Sequence, residues 1–477
     1  MLDKRKFYIN GQWVDPIVPN DLEVINPATE QPIAVISMGT AADIDRAVAA
    51  AKTAFQSYTR TSLDERIALL EKLLDIYKRR YDEMARTITL ELGAPITMST
   101  EQQAHVGVGH LKGFIDALKR IKMREELPNG DIVLREPIGV CGLITPWNWP
   151  INQIALKVIP ALATGSTCVL KPSEFTPLNA LLYAEMVHEA GFPAGTFNLV
   201  NGDGPNVGAA LSKHKDVDMM SFTGSTRAGT AVSKDAADTV KRVTLELGGK
   251  SPNIVFEDAD LEDRITGSVL ECFNNSGQSC DAPTRLLVQR SVYDQAVQIA
   301  RRVGAEVKVG NPQEAGEHIG PLVSDIQYGR VQALIEAGIA EGAQLLVGGP
   351  GKPEGFETGY YVKPTIFAGV NNQMRIAREE VFGPVLAIIP FDTEEDAIEI
   401  ANDTNYGLAA YIQSGDLDRA ERVAGRLRAG MVHINGAPHR YGSPFGGYKQ
   451  SGIGREGGIF GLEDFLEVKT VHRPRAD

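Results

Sequence analysis

The sequence predicts an α/β protein that is built from two parallel-sheet units. Short β-rich runs alternate with helical patterns between Gly139 and Glu246, as in βαβ units. A second alternation of the same kind begins after Gly248. At 477 residues the chain is also too long for one ordinary hydrophobic core, so two or three domains are expected.

Residues 1–139 precede the first alternation. Residues 7–40 predict short strands and turns, with a hairpin around Asn10-Gly11, a dipeptide that favours tight turns. Apolar residues then recur at helical spacing. The expected scaffold helices begin at Ala41, cover Asp64 to Tyr81, and run from near Met98 to Lys119. The charged, turn-rich segment 121–139 predicts a surface hairpin.

The first alternation indicates a doubly wound, Rossmann-like sheet that binds a ligand at the carboxyl ends of its strands. Its strands are predicted at Val140–Ile144, Thr167–Lys171, Phe197–Val200, Met219–Thr223 and Arg242–Leu245, with helices near Gln153–Ala163, Asn179–Ala190, Val207–Lys213 and Gly229–Ala237. In the second, strands are predicted at Asn253–Phe256, Arg285–Gln289 and Leu386–Phe391, with helices near Leu261–Cys272, Tyr293–Val303, Tyr328–Ala340 and Thr393–Asn402. A last strand is predicted at Phe465–Val471.

Composition excludes several classes of function. A formal charge of −13 argues against nucleic acid as a partner. The first residues lack the apolar core of a signal peptide, and no apolar run is long enough to span a membrane. The four cysteines have no Cys-x-x-Cys spacing, and the eight histidines form no His-x-x-x-His pair, so neither a metal site nor a disulfide framework is expected. We therefore predict a reduced, cytoplasmic protein.

One cysteine lies in a stretch suited to nucleophilic chemistry. Cys280 follows small and amide residues from Asn274 onward, and Gly277 lets the backbone bend tightly. A thiolate is the reactive form of cysteine, and apolar burial would suppress it. This stretch alone fits a nucleophile and an incidental cysteine in a polar loop equally well.

Two upstream residues favour the nucleophile. Glu246 is a carboxylate inside an apolar, strand-like run, where burial is costly and rarely serves packing. Asn148 lies between two tryptophans and two prolines in Thr145-Pro146-Trp147-Asn148-Trp149-Pro150, a rigid setting that can hold one donor still.

Two strand ends indicate a dinucleotide. Lys171 and Glu174 lie at and just past a strand end, where a carboxylate can accept hydrogen bonds from ribose hydroxyls and would repel a 2′-phosphate. An exposed loop pair is the alternative. The run Ser221–Thr226 ends a strand and opens a helix, a place suited to a pyrophosphate. Gly202-Asp203-Gly204 followed by Gly208 has the wrong spacing for Gly-x-Gly-x-x-Gly and is weak evidence.

Together these motifs resemble the NAD(P)-dependent aldehyde dehydrogenase superfamily over the whole chain. The resemblance implies an enzyme that oxidises an aldehyde to a carboxylic acid, with NAD as the cofactor and NADP as the alternative. It implies Cys280 as the nucleophile, the Asn148 side chain and the Cys280 N–H as oxyanion donors, and Glu246 as the general base that activates water. Relatives that pass the acyl group to coenzyme A lack this carboxylate, so a hydrolytic type is expected. Lys157 and Glu456 occupy positions that can form a proton-relaying pair.

The resemblance also implies the remaining site residues. Glu380 and Phe382, in Glu379-Glu380-Val381-Phe382-Gly383, would hold the nicotinamide ribose and ring. The full cofactor set is Ile144, Thr145, Trp147, Lys171, Ser173, Glu174, Gly204, Gly208, Phe222, Gly224, Ser225, Leu247, Glu380 and Phe382. The substrate tunnel would be lined by Gln153, Leu156, Asp281 and Phe445.

Asp281 departs from many relatives, which carry an apolar or hydroxyl residue after the nucleophile. A carboxylate there should disfavour acidic aldehydes and favour polar or cationic ones, unless it points into a hydrogen-bond network. We therefore expect a substrate that is not purely a short alkyl aldehyde.

The predicted domains are a cofactor domain (1–120 and 140–246), a catalytic domain (247–450) and an oligomerisation segment (121–139 and 451–477). The last strand is expected to add to a neighbouring subunit's sheet in a dimer or tetramer. A cysteine hydrolase or thioesterase remains an alternative, but it would not need the nucleotide motifs. A catalytically silent relative would be expected to lack Cys280 or Glu246.

Overall fold

The computed structural model describes residues 1–474. Its strands are, in chain order, β1 Leu2–Asp3, β2 Phe7–Ile9, β3 Gln12–Val14, β4 Asp21–Asn26, β5 Gln31–Ser37, β6 Arg124–Glu126, β7 Ile132–Pro137, β8 Val140–Ile144, β9 Thr167–Lys171, β10 Phe197–Leu199, β11 Met219–Thr223, β12 Arg242–Glu246, β13 Pro252–Val255, β14 Arg285–Gln289, β15 Lys308–Val309, β16 His318–Ile319, β17 Gln344–Val347, β18 Thr365–Ala368, β19 Val385–Phe391, β20 Ala409–Gln413, β21 Met431–Ile434, β22 Gly452–Ile453 and β23 Leu466–Val471.

The helices are α1 Ala41–Tyr58, α2 Leu63–Arg79, α3 Tyr81–Leu92, α4 Ile96–Met98, α5 His105–Arg120, α6 Pro150–Thr164, α7 Leu178–Ala190, α8 Ala209–Lys213, α9 Thr226–Ala237, α10 Leu261–Phe273, α11 Tyr293–Glu306, α12 Asp325–Ala340, α13 Arg375–Arg378, α14 Glu394–Asn402, α15 Leu417–Ala424 and α16 Gly458–Glu463. The predicted α/β class is confirmed. None of the helices in residues 1–474 is long and apolar enough to cross a membrane.

The first large sheet has eight strands in the order β22-β12-β11-β8-β9-β10-β2-β3. Strands β12 to β10 in this order are parallel, and the strands at both ends are antiparallel to their neighbours. From β8 the chain adds β9 and β10 on one side of the sheet and then β11 and β12 on the other side. The strand order therefore reverses between β8 and β11. In doubly wound sheets this switch point, at the carboxyl ends of the strands, is where ligands bind.

The second large sheet has seven strands in the order β17-β18-β19-β14-β13-β20-β21, and all neighbours are parallel except β17 and β18. Its central strands are buried along their whole length, as are those of the first sheet, because helices cover both faces. Separate hydrophobic clusters lie on the two faces of each sheet.

The predicted surface hairpin is present as β6 and β7. The last strand, β23, pairs antiparallel with β7 of the same chain, so the sheet order is β23-β7-β6. The predicted segment 451–477 extends beyond the described residues at 475–477. Its described part is divided, since β22 pairs with β12 in the eight-stranded sheet and α16 contacts α5 and α6, whereas β23 pairs with β7.

The N-terminal elements differ from the prediction in one region. The Asn10-Gly11 hairpin forms, with both residues at positive φ. The helix expected from near Met98 is interrupted by a π-helical turn at Ser99–Gln103, where the Ala104 N–H donates to Ser99 O. Helix α3, which was not predicted, follows α2 after a single non-helical residue, so that the hydrophobic period continues with little break.

Candidate active site

The backbone before Cys280 is left-handed at three successive residues. Asn275, Ser276 and Gly277 have φ values of 52°, 56° and 72°. Such angles are costly for residues with a Cβ, and they persist where the surroundings fix them. A side chain at Gly277 would collide with the Gly383 carbonyl. The turn therefore reverses the chain at the end of α10 and sets the direction of residues 278–281.

Buried amide groups fix this turn and Asn148 together. The Asn148 side chain donates to the Gln278 backbone carbonyl at 3.0 Å, and the Asn148 backbone carbonyl accepts from Asn275 Nδ2 at 2.8 Å and Gln103 Nε2 at 3.0 Å. Gln278 Oε1 in turn accepts from the Val323 N–H at 3.0 Å. An amide NH₂ has two N–H donors, and the bond to Gln278 uses one of them. The other can reach a group beside the loop.

The surroundings of Cys280 are less polar than its sequence neighbours indicated. The partly exposed thiol packs against a small cluster of Leu408, Ala409, Tyr411 and Met431. Burial raises the pKa of the Cys280 thiol well above its usual value, and the nearby carboxylates, first that of Asp281, raise it further. The polar sequence neighbours predicted polar surroundings for the thiol, whereas apolar residues distant in sequence pack against it.

Cys280 lines a tunnel with a volume of about 390 Å³. The four residues predicted for the substrate, Gln153, Leu156, Asp281 and Phe445, all line it. The tunnel also contains residues that the sequence analysis did not select, among them Glu101, Trp149, Glu271, His439 and Tyr441. Trp149 Nε1 donates to Ser279 Oγ at 2.8 Å, which ties the tunnel wall to the residue before the nucleophile.

Glu246 ends strand β12 as a buried carboxylate with 3% exposure. Neither of its oxygens has a hydrogen-bond partner within residues 1–474. Burial raises the pKa of Glu246 well above its usual value, and the charge of Glu456 adds to this effect. Gly446 leaves the space that the carboxylate needs, since a Cβ there would come within 2.6 Å of Glu246 Oε1.

Lys157 and Glu456 form a buried ion pair. Glu456 Oε2 has no partner in the described part of the chain. The backbone of Glu456 exchanges two hydrogen bonds with Phe445, at 2.7 and 2.8 Å, so this pair is held in register with the tunnel wall. The arrangement places a charged, hydrogen-bonded pair next to Glu246.

The predicted cofactor residues around the eight-stranded sheet gather at the switch point between β8 and β11. Phe222 and Ile144 are register partners at the ends of β11 and β8, and a Cβ on Gly208 would contact both Ile144 and Lys171. Lys171 Nζ pairs with Glu174 Oε2 at 3.2 Å. The same edge carries Thr145, Trp147, Ser173, Gly204, Gly224, Ser225 and Leu247.

Two features at this edge fit a dinucleotide. Thr223 Oγ1, at the end of β11, is buried and lacks a hydrogen-bond partner within residues 1–474. Ser225 caps α9 by accepting from the Ala228 N–H at 3.3 Å, so a helix N-terminus with unpaired N–H groups faces the same crevice. Helix N-termini attract phosphate groups. The residues present therefore suit an NAD molecule whose pyrophosphate lies at α9.

The predicted nicotinamide residues, Glu380 and Phe382, precede β19 of the seven-stranded sheet, and their side chains contact residues near the eight-stranded sheet. Phe382, at a φ of 57°, packs edge-on against Trp147, with ring centroids 5.3 Å apart. Glu380 Oε1 accepts from the Gly249 N–H at 2.9 Å. Gln327, which the sequence analysis did not select, donates to the Phe382 carbonyl at 2.8 Å and supports this strained turn.

The residues that the sequence analysis missed act mainly through position. Gln103, Asn275 and Gln327 hold the backbone, and Glu271 and His439 line the tunnel. The run of amides before Cys280 was a usable signal for Asn275. The others lie on ordinary helices or in a loop, where no local pattern separates them from surface residues.

Comparison with known proteins agrees with this geometry. A family model described as the aldehyde dehydrogenase family matches residues 13–471. A 3-succinoylsemialdehyde-pyridine dehydrogenase from Pseudomonas sp. is 54% identical over 472 residues, which cover 99% of both chains.

Solved structures are similar over the same length. An aldehyde dehydrogenase from Bartonella henselae is 54% identical, with a TM-score of 0.98 and 99% of each chain covered. A mutant of aldehyde dehydrogenase C from Pseudomonas syringae, in complex with NAD+ and octanal, is 49% identical, with a TM-score of 0.97 and 98% and 96% of the two chains covered. The chain therefore belongs to the aldehyde dehydrogenase family, whose members oxidise aldehydes with a nicotinamide cofactor.

Proposed function

We propose that this protein oxidises an aldehyde to a carboxylic acid with NAD+, with Cys280 as the nucleophile and water as the acyl acceptor. The observation that carries the proposal is the position of Cys280, on the wall of a tunnel and on a loop that Asn148 contacts through Gln278. NAD+ is supported by the switch-point residues described above and by its presence in the related P. syringae structure.

The reaction begins with addition to the carbonyl. The Cys280 thiolate attacks the aldehyde carbon and forms a thiohemiacetal, and the carbonyl electrons move to oxygen. The free N–H of the Asn148 side chain and the Cys280 backbone N–H would stabilise this oxyanion. Bound NAD+ would supply a positive charge that lowers the pKa of Cys280 and a ring that accepts the hydride.

Oxidation and release follow at the same carbon. When the C=O bond reforms, hydride leaves with two electrons, and the carbon becomes an acyl thioester on Cys280. Glu246 then removes a proton from water, the hydroxide adds to the thioester, and the thiolate departs as the carboxylic acid forms. The raised pKa of Glu246 makes it a stronger base when it is ionised, and its lack of partners leaves both oxygens available for water. Lys157 and Glu456 would pass the proton on.

Each cofactor residue would have a defined part. Glu174 would accept from the adenosine ribose once its ion pair with Lys171 adjusts, and Ser225 with Gly224 would approach the pyrophosphate. Trp147 and Phe382 would border the nicotinamide ring, and Glu380 would bind its ribose after leaving Gly249. We assign the eight-stranded sheet to the cofactor domain and the seven-stranded sheet to the catalytic domain.

We further propose a homo-oligomer, a dimer or a tetramer, that assembles through the β23-β7-β6 sheet. Strand β23 is at the edge of this sheet, and Val468 on it is 66% exposed. Unpaired edge strands are templates for pairing with another chain. A cytoplasmic location stays a prediction.

Two related proteins favour a substrate longer than a short alkyl aldehyde. One is named for a pyridine-bearing semialdehyde, and the other contains octanal. A tunnel of about 390 Å³ has room for such molecules. A preference for acetaldehyde over every longer or polar aldehyde would contradict this.

The test is NADH formation on purified protein, followed by absorbance of the reduced ring. Wild type and Cys280→Ser would be assayed with NAD+ or NADP+ and a panel of aldehydes, without coenzyme A. We expect turnover by wild type alone, whereas calorimetric titration should show NAD+ binding by both proteins. Activity that persists in Cys280→Ser would contradict the assigned nucleophile, and ester hydrolysis without nucleotide binding would favour a cysteine hydrolase.

A further inference from the structure

The tunnel wall carries acidic side chains that lack cationic partners in the described residues. Three carboxylates line the tunnel, those of Glu101, Glu271 and Asp281. No lysine or arginine lies among the lining residues of the described chain, and none of these three carboxylates forms an ion pair there. The tunnel is therefore electronegative along the path that a substrate takes to Cys280.

Gln153 gives an independent indication of a ligand. It lies on α6, lines the tunnel and is only 3% exposed. Its Oε1 atom has no hydrogen-bond partner within residues 1–474. A buried amide oxygen without a partner costs free energy, which a donor on a bound molecule would recover. This amide is thus prepared for a substrate group that donates a hydrogen bond or carries positive charge.

The Asp281 carboxylate receives no hydrogen bond from another side chain in the described residues. Tyr411 donates to the Asp281 backbone carbonyl at 3.1 Å, and no side chain in the described residues donates to the Asp281 carboxylate. Histidines 433 and 439 are the titratable groups of opposite sign that influence it. Desolvation raises the pKa of Asp281 and of Glu271, and for Glu271 the charge of Asp281 adds to the effect. A cation beside these two carboxylates would pair with charges that have no ion-pair partner in the described residues.

The space around this pair suits a bulky head group. A second cavity, of about 420 Å³, lies beside the tunnel, and Glu271, Asp281 and His439 line both. Arg264, which pairs with Asp263, lines the second cavity but not the tunnel. The carboxylate pair is therefore located where the two cavities meet. A group that is too wide for the tunnel wall near Cys280 can extend into this space.

We propose that the tunnel selects aldehydes whose distal end carries a cationic nitrogen, which Gln153, Asp281 and Glu271 recognise. The inference rests on the proposed aldehyde oxidation and specifies its substrate class. The same charges disfavour a semialdehyde that ends in a carboxylate, because two like charges would face each other in a poorly solvated tunnel.

Three aldehydes of matched length test this. 4-(Trimethylammonio)butanal is cationic, 5,5-dimethylhexanal is its neutral isostere, and 5-oxopentanoate is anionic. With wild type and NAD+, we expect kcat/KM for the cation to exceed that for the isostere by about 10-fold or more, the ratio that 1.4 kcal/mol of selective stabilisation gives. The anion should be the poorest of the three.

Variants assign the preference to the three side chains. In Asp281→Asn, Glu271→Gln and Gln153→Met, the ratio of kcat/KM for the cation over the isostere should fall towards 1. The ratio cancels any change in Cys280 reactivity, since the same thiolate attacks both aldehydes. The control is Glu262→Gln, which removes the same charge from α10 but affects a residue paired with Arg302 outside the tunnel. That variant should keep the wild-type ratio.

A wild-type ratio of 1 or less, or equal turnover of the anion, would overturn the proposal while leaving aldehyde oxidation intact. The same holds if Glu262→Gln lowers the ratio as much as Glu271→Gln, because a general field effect would then explain it. If neither these three aldehydes nor any member of the aldehyde panel described above gives NADH, the proposed function itself fails. The three aldehydes would then be compared by how well each one, when bound, protects Cys280 from an alkylating reagent.

Discussion

Glu91 and Glu246 are both carboxylates buried in this protein, with exposures of 0% and 3%. Glu91, on α3, accepts three hydrogen bonds, from the Leu178 N–H at 2.6 Å, the Asn179 N–H at 2.9 Å and Asn179 Nδ2 at 2.8 Å. Glu246 accepts none within residues 1–474. Burial raises the pKa of both groups, to about 8 for Glu91.

We propose that this difference separates a structural carboxylate, Glu91, from a catalytic one, Glu246. Glu91 satisfies the first N–H groups of α7, which would otherwise be buried without partners. Glu246 satisfies nothing, and the protein bears the cost of burying it. A buried acceptor without a partner is retained where a reaction needs it, and here it lies near the nucleophile. The following predictions test this distinction.

The largest effect is expected from Glu246→Gln. The amide cannot take a proton from water, so steady-state NADH formation should fall by about 100-fold or more. A burst of one NADH per active site should persist, because hydride transfer precedes hydrolysis. Stopped-flow absorbance measures both quantities. Loss of the burst as well would assign Glu246 to an earlier step, and a loss of stability would make it structural like Glu91.

Glu91→Ala should show the opposite pattern. Removing the carboxylate leaves buried N–H groups at the start of α7 unpaired, and the free energy of unfolding should fall by about 2–3 kcal/mol. The kcat of the folded protein should be retained. Urea unfolding and steady-state kinetics on one preparation measure the two effects.

The matched control for Glu91→Ala is Glu83→Ala on the same helix. Glu83 is exposed and pairs with Arg80, so its removal should change stability by less than about 1 kcal/mol. If the two variants are equally stable, the three hydrogen bonds of Glu91 do not contribute to the stability of the protein. The proposed difference between Glu91 and Glu246 would then be wrong.

Gly446→Ala should reproduce part of the Glu246 defect without changing the carboxylate itself. The added Cβ would come within 2.6 Å of Glu246 Oε1, and Gly446 has a φ of 149°, which favours glycine. Displacement of the base should lower kcat by about 10-fold, whereas the NADH burst should remain. Normal kcat would show that the position of the Glu246 carboxylate tolerates this shift.

The smallest effect is a shift in pH dependence in Glu456→Gln. The charge of Glu456 raises the pKa of Glu246, whereas that of Lys157 lowers it. With Glu456 neutral, the pKa of Glu246 should fall, so Glu246 should stay ionised to lower pH. The acid limb of the kcat–pH profile should therefore move to lower pH. A shift in the opposite direction would show that Glu456 acts on Glu246 through hydrogen bonding and not through its charge.

Much of the fold followed from local patterns. The strands β8, β9, β11 and β14 have the predicted bounds, because short apolar runs between Gly, Pro and Asn clusters specify buried strands. The predicted helix from Asp64 to Tyr81 ends close to the break at Arg80, but helix α3, which begins directly after this residue, was missed. The tunnel residues Glu271 and His439 could not be found, since nothing in their sequence neighbourhoods distinguishes them.

By itself the sequence determined the bounds of several central strands, and it selected Cys280, Glu246 and the nucleotide motifs, because periodicity and turn chemistry are local properties. Only the tertiary structure decided how buried each group is and which atoms face it. Gly446 and Glu456, from the far end of the chain, lie near the Glu246 carboxylate, and neither donates a hydrogen bond to it. The raised pKa of Cys280 and the negative charge of the tunnel wall also come from residues that are distant in sequence. Desolvation and charge effects depend on distance in space and not on distance along the chain.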